Sequence, residues 1–243
     1  MTNHNKSIDK AALSLREVAN IGKNAAFLAG MEAHGRYRAE CYGPKDHLRA
    51  EYISLRDRVS KIRGSLIKDI RKARRVLNHE KLSAELEILQ RKMRSMLELK
   101  WADDFSNLVT TVGKNDALDK HLGGSSYTAA WYIGLIGGAS YTTGVAAGDT
   151  ASSHGGWVES QDYTESVRQT AAFSGASGGS KALSSALAFS INASVTIKGC
   201  FLISNSTKGG TTGILYSAGL FTGGDKTLQN GDTLNVSYTA SLT

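Results

Sequence analysis

Residues 99–122 read LKWADDFSNLVTTVGKNDALDKHL, and the chain changes character there. Upstream it is charged and has the spacing of helices. Downstream it is rich in Gly, Ser and Thr and has the alternation of strands. Within the stretch, Trp101, Asp103, Phe105, Asn107 and Val109 share one parity, the mark of a strand with one covered face. Gly113 is expected to end that strand. Asn115 or Asp116 is expected to cap a short helix over residues 117–122, which stops at Gly123-Gly124.

Working upstream, residues 36–42 alternate too. Tyr37, Ala39 and Cys41 fall on one face, and Arg36, Arg38 and Glu40 on the other. Gly43-Pro44 is expected to break this strand, because proline has no N–H to continue a ladder. Asp46 can cap the next helix. Leu48, Tyr52, Leu55, Val59, Ile62, Leu66, Ile70, Ala73 and Leu77 then recur at intervals of three and four, close to a heptad period. Asn78-His79 interrupts, with Asn78 a good N-cap, and Leu82, Leu86, Leu89, Met93 and Met96 continue the pattern. A helical hairpin follows, with one long kinked helix as the alternative. Pairing residues 36–42 with the strand carrying Trp101 makes the hairpin an insertion between two strands of one sheet. Further upstream, Leu13, Val18, Ile21, Ala25 and Leu28 predict an N-terminal helix ending near Gly30.

Working downstream, the chain predicts strands over residues 127–136, 167–173, 183–191, 193–204, 214–221 and 234–242, with a long loop over residues 141–157. Within 193–204, Val195, Ile197, Gly199, Phe201 and Ile203 are expected to share a face. The fold expected is α+β: an antiparallel β-sandwich or jelly-roll-like domain with an inserted helical hairpin and an N-terminal helix. The corresponding units are a helical arm at 1–34, a β domain at 35–44 plus 99–243, and a basic insertion at 45–98.

Composition narrows the function classes. Apolar residues are 41% of 243, with 26 Gly and a single Pro. That suits regular strands joined by small-residue turns rather than a proline-rich linker. Cys41 and Cys200 are too few for a disulfide scaffold and are read as reduced core thiols. No apolar run reaches a membrane span, and the N-terminus lacks the apolar stretch of a signal peptide. The net charge of +7 is uneven: residues 45–100 hold 16 Lys and Arg against 8 Asp and Glu, a net +8, so the remainder sums to −1.

Residues 100–122 together with YTAAWYIGLI (127–136), AAGDTASSHGGWVES (146–160), KGCFLISNSTKGGTTGILYSAGLFTGG (198–224) and NGDTLNVSYTASL (230–242) resemble a family of small virion proteins of tailed bacteriophages. These are described as head proteins or tail-fibre-like proteins. The resemblance spans about residues 100–243, and weakly 12–43. In that family the strand matching 36–42 runs through a short turn into the strand with the tryptophan. Here the basic helical segment occupies that turn. The resemblance implies a non-enzymatic structural protein of the virion, assembled in the bacterial host cytoplasm, with the major capsid protein or other virion proteins as partners. Three roles are open: a capsid decoration or cement protein; a tail, collar or head-fibre component binding another virion protein or a receptor; or a carbohydrate-binding module.

No residue set in the sequence has the spacing of a catalytic or metal centre, and no cofactor motif is present. Asp149, Ser152, Ser153 and His154 crowd into one loop, where turn chemistry is expected rather than a convergent triad. The six histidines lack ligand spacing. Lys208-Gly209-Gly210-Thr211 lacks the order of a phosphate loop. The basic run Lys68, Arg71, Lys72, Arg74 and Arg75 is a candidate interface for an acidic partner, with protein favoured over nucleic acid because no aromatic residue accompanies it. The apolar stripe of Leu55, Val59, Ile62 and Leu66 is a candidate seam for self-association, a trimer in particular.

Overall fold

The computed structural model describes residues 33–71, 76–122, 126, 130–138 and 142–242. The N-terminal helix expected from Leu13 to Leu28 lies outside these residues. The fold is α+β, with three helices and two antiparallel sheets among the described residues.

The first strand, β1 (Ala33–Pro44), runs two residues past the expected break. Its pairing with the last strand, β12 (Thr233–Leu242), ends at Tyr42, so Pro44 takes no part in that ladder. A 3-10 turn over Asp46–Leu48 leads into α1 (Arg49–Arg71) and then α2 (Val76–Met96). Asp46 makes no cap; its carboxylate faces Lys100 at 3.3 Å. Asn78 lies inside α2 rather than capping it. Strand β2 (Leu97–Ser106) begins at once, and the Lys45 N–H donates to the Met96 carbonyl at 3.0 Å, closing the base of the hairpin. Strands β1 and β2 pair antiparallel from Arg36↔Ser106 to Pro44↔Leu97, so both helices are looped out between adjacent strands of one ladder.

After β3 (Leu108–Val109), helix α3 (Thr111–His121) starts earlier than its sequence suggests. The Thr110 hydroxyl accepts the Gly113 N–H at 3.1 Å, a true N-cap that Asn115 and Asp116 were expected to supply. Gly113 is needed inside the helix because a Cβ there would sit 2.4 Å from the Tyr216 carbonyl oxygen. What looked like a strand terminator is a packing contact.

The remaining strands are β4 (Tyr132–Gly137), β5 (Val158–Ser160), β6 (Gln169–Thr170), β7 (Ser180–Ala182), β8 (Leu187–Ser190), β9 (Val195–Ile203), β10 (Leu215–Leu220) and β11 (Lys226–Leu228). One sheet runs β2-β1-β12, with β8 and β7 pairing successive parts of the far edge of β12. The other runs β3-β10-β9-β4-β5, with β11 on β9 and β6 on β4. The main core lies between the sheets. Tyr37, Ala39, Cys41, Phe105, Phe189, Val236 and Tyr238 from the first meet Ile133, Leu135, Ile197, Cys200 and Leu202 from the second. A second cluster covers the outer face of the second sheet, where Trp157 and Ala151 of the long loop pack on Phe201, Ile203, Ile136 and Leu215.

These two cores explain why β9 defeats simple alternation. Ile197 faces the main core, yet Phe201 and Ile203, of the same parity, face the outer cluster. The registers Ile136↔Gly199 and Gly137↔Ile197 leave Lys198 as the extra residue of a bulge, which reverses the faces.

The buried hydroxyls and thiols give the core a pH limit. Burial pushes the Cys41 thiol up to about 12 from its ordinary 9.0, and raises Cys200, Tyr37, Tyr163 and Tyr238 as well. Each stays protonated in the folded protein, while the unfolded chain begins to release these protons near its ordinary values of 9.0 and 10.0. Their contribution is therefore whole below about pH 9 and is lost as pH rises above it. A thermal melt series should show a flat Tm from about pH 7 to 8.5 and a steep fall above pH 9 to 10. A Tm that holds to pH 11 would contradict this placement of the core.

Candidate interaction surface of the helical hairpin

The hairpin has its own small core. Leu55, Val59, Ile62 and Leu66 of α1 meet Leu82, Leu86, Leu89 and Met93 of α2. Val59, Ile62 and Leu66 are buried there. Two ion pairs cross the same seam, Arg58 with Glu85 and Lys92 with Glu51. The four apolar residues nominated as an interface stripe thus pack the two helices against each other, with Leu55 only partly buried. Of the basic run, Lys68 and Arg71 belong to the end of α1. Lys72, Arg74 and Arg75 lie outside the described residues.

The hairpin is joined to the β-sandwich through the turn before β12. Asp232 is buried and accepts the Gln229 N–H at 2.9 Å. Arg49 of α1 donates one guanidinium nitrogen to the Asp232 carboxylate at 3.0 Å and to the Asn230 carbonyl at 2.9 Å. About two turns along the helix, Arg56 donates to the Asn230 side-chain oxygen at 3.1 Å. Between them Tyr52, buried, and Ile53 lie over Gly231, where an added Cβ would stand 3.6 Å from each side chain, ordinary van der Waals contact. Burial raises the Tyr52 phenol, which therefore stays neutral at this joint. The residues 229–232 are recognisable in the sequence as a turn, but nothing there says that an arginine some 180 positions earlier reaches them. A lone acidic residue in a turn otherwise made of Gln, Asn and Gly was the available hint.

The loop that offered acid, hydroxyl and imidazole is spent on its own structure. Asp149 accepts from the indole N–H of Trp157 at 2.8 Å and from the Ala146 N–H at 2.9 Å. The His154 ring stacks on Trp157, with centroids 4.1 Å apart, and its Nδ1 lies 3.0 Å from the Trp157 carbonyl. The Ser152 hydroxyl is 3.3 Å from that of Thr150. Carboxylate and imidazole both serve to seat Trp157 over the second sheet.

Arg168 is a structural centre that the sequence reading passed over. Its Nε and Nη2 grip both oxygens of Glu159 at 2.9 and 2.7 Å, and the two side chains are 2% and 6% exposed. The remaining donors reach the Asn205 and Gly210 carbonyls at 2.9 and 3.0 Å, and Phe201 lies under the guanidinium. Lys208 completes the clamp. Its ammonium donates to the Gln161, Tyr163 and Glu165 carbonyls at 3.0, 2.8 and 2.9 Å and rests on the Tyr163 ring. Loss of hydration lowers the Lys208 pKa, partly offset by Glu165 and Glu159. Arg168 carries a signal in hindsight: it is the only arginine after Arg94. A guanidinium suits a buried, bidentate ion pair with a carboxylate.

No family model, curated protein or solved structure matches this chain.

Proposed function

We propose that this chain is a non-enzymatic structural protein of a tailed-phage virion, and that it serves as a capsid decoration or cement protein. The residue-level resemblance over 100–243 supplies the virion setting. The observation that carries the role is the hairpin: two helices with their own core, looped out between paired strands and fastened at one joint to a β-sandwich. Such a part adds little to the core of the body that bears it and is placed to engage something else. The surplus positive charge of the chain sits on this part, which suits an acidic surface of a partner. A protein that binds the assembled shell but not its unfolded subunits stabilises the shell by linkage.

The test uses purified, fluorescently labelled chain mixed with phage particles that lack it. Saturation at on the order of hundreds of copies per particle is the expected result. Saturation at about 6 to 12 copies would instead place the chain at the tail or collar. Absence of any association would overturn the virion reading.

A further inference from the structure

We propose that the groove between the helical hairpin and the β-sandwich receives an acidic, partly apolar polypeptide segment of the docking partner. The inference rests on the structural reading above and adds to it a site and a ligand chemistry. The groove has a volume of about 750 Å³ and is lined by both helices and by Thr164 and Ser190 of the sandwich. Three guanidinium groups face it: Arg56 and Arg63 from α1, and Arg94 from α2. Asp57 is the one carboxylate in the lining, and it lies 3.8 Å from Arg56. Arg56 is further held by Asn230. Arg63 and Arg94 pair with no carboxylate among the described residues, unlike Arg49 and Arg58 on the same hairpin. Two arginines are thus presented from separate helices, toward one cleft, with their charge unanswered.

Between the charges the lining is apolar, with Met93 and Leu97 half-buried and Val59, already packed in the hairpin core, nearly covered. A carboxylate-bearing peptide with intervening apolar side chains satisfies both features, since guanidinium groups take carboxylates in a bidentate fork while the apolar floor takes the rest. A nucleic acid fits less well. Base stacking needs an open aromatic face, and the one aromatic lining residue, Tyr52, is 7% exposed.

The experiment uses the full chain and a fluorescent eight-residue peptide of alternating Glu and Leu, followed by anisotropy at about 50 and 200 mM salt. Its companions are the same peptide with Gln for Glu and an oligo-dT of equal length. The variant Arg63→Ala/Arg94→Ala is expected to weaken Glu-Leu peptide binding about tenfold. Arg91→Ala, an exposed arginine of α2 outside the groove, is expected to leave binding unchanged. The Gln-Leu peptide should not bind. Circular dichroism should be the same for all variants, because the substituted side chains are exposed. Equal weakening by Arg91→Ala would reduce the effect to net charge and overturn the proposal. So would tighter, Arg63- and Arg94-dependent binding of the oligo-dT, or self-association of the chain that the double variant abolishes. If the labelled chain still decorates particles while the peptide fails to bind, the groove proposal alone falls.

Discussion

Arg168→Ala is expected to lower the unfolding free energy by about 3–5 kcal/mol, because it leaves the Glu159 carboxylate buried without its counter-charge. Glu159 is 6% exposed and its remaining donor is the Gly209 N–H at 2.6 Å, which cannot neutralise it. The Asn205 and Gly210 carbonyls lose their donors at the same time. The loop over residues 205–213 thereby loses two of its ties to this region and keeps those of Lys208 and Gly209. The double variant Glu159→Leu/Arg168→Met should recover most of the loss, since apolar side chains of similar volume remove the uncompensated charge. Urea midpoints at unchanged m-value measure both effects. A single variant within about 0.5 kcal/mol of the parent would show that the pair is solvated rather than buried.

Gly199→Ala should be nearly as costly, at about 3 kcal/mol. Gly199 lies in β9, the strand joined to both β4 and β10 in the second sheet. A Cβ there would stand 1.9 Å from the Gly219 carbonyl oxygen and 2.8 Å from the Leu220 Cα. Both neighbours are backbone of the paired strand, so no side chain can swing aside. The sheet must open at its centre, or the bulge at Lys198 must shift and turn Phe201 and Ile203 away from Trp157. A drop of Tm by more than about 8 °C is the expected reading for a change of this size. A Tm within about 2 °C would contradict the close approach of β9 and β10.

The sandwich and its insertion were readable because each depends on a local pattern. Tyr37, Ala39 and Cys41 alternate with charged residues, and on the returning strand Trp101, Asp103 and Phe105 alternate with the exposed Ala102, Asp104 and Ser106, whereas Val109, expected on that same strand, belongs to β3 of the second sheet. Both patterns survive to the folded state because one face of the first sheet meets the core and the other meets water. The hairpin was readable for the same reason: Val59, Ile62, Leu66, Leu86 and Leu89 keep their spacing because they pack into one seam between the two helices. Where a second layer intervenes, alternation misleads. In β9 both faces are covered, so the pattern carries no direction, and the bulge at Lys198 has no signature of its own. Gly113 reads as a breaker in isolation, but its role is set by Tyr216, which lies across the sheet. The candidate site was the least legible part. The groove needs α1, α2 and the β-sandwich placed together, and the joint needs Arg49 and Asp232, which are remote in sequence. The heptad stripe was legible as apolar, but spacing alone does not say whether a seam is filled by the same chain or another.

The central claim is that the hairpin is an accessory to a self-sufficient β body and is the part that docks. It is tested most directly by replacing residues 45–96 with Asn-Gly. Pro44 and Leu97 are the last pair of the β1–β2 ladder, so a two-residue turn can span them. The replacement gives up the Arg49–Asp232 and Arg56–Asn230 contacts but nothing from the main core. The shortened chain is expected to unfold in one cooperative transition with a β-type circular dichroism spectrum, and to leave phage particles bare under conditions where the full chain saturates them. A shortened chain that does not fold, or one that still decorates particles, would contradict the account.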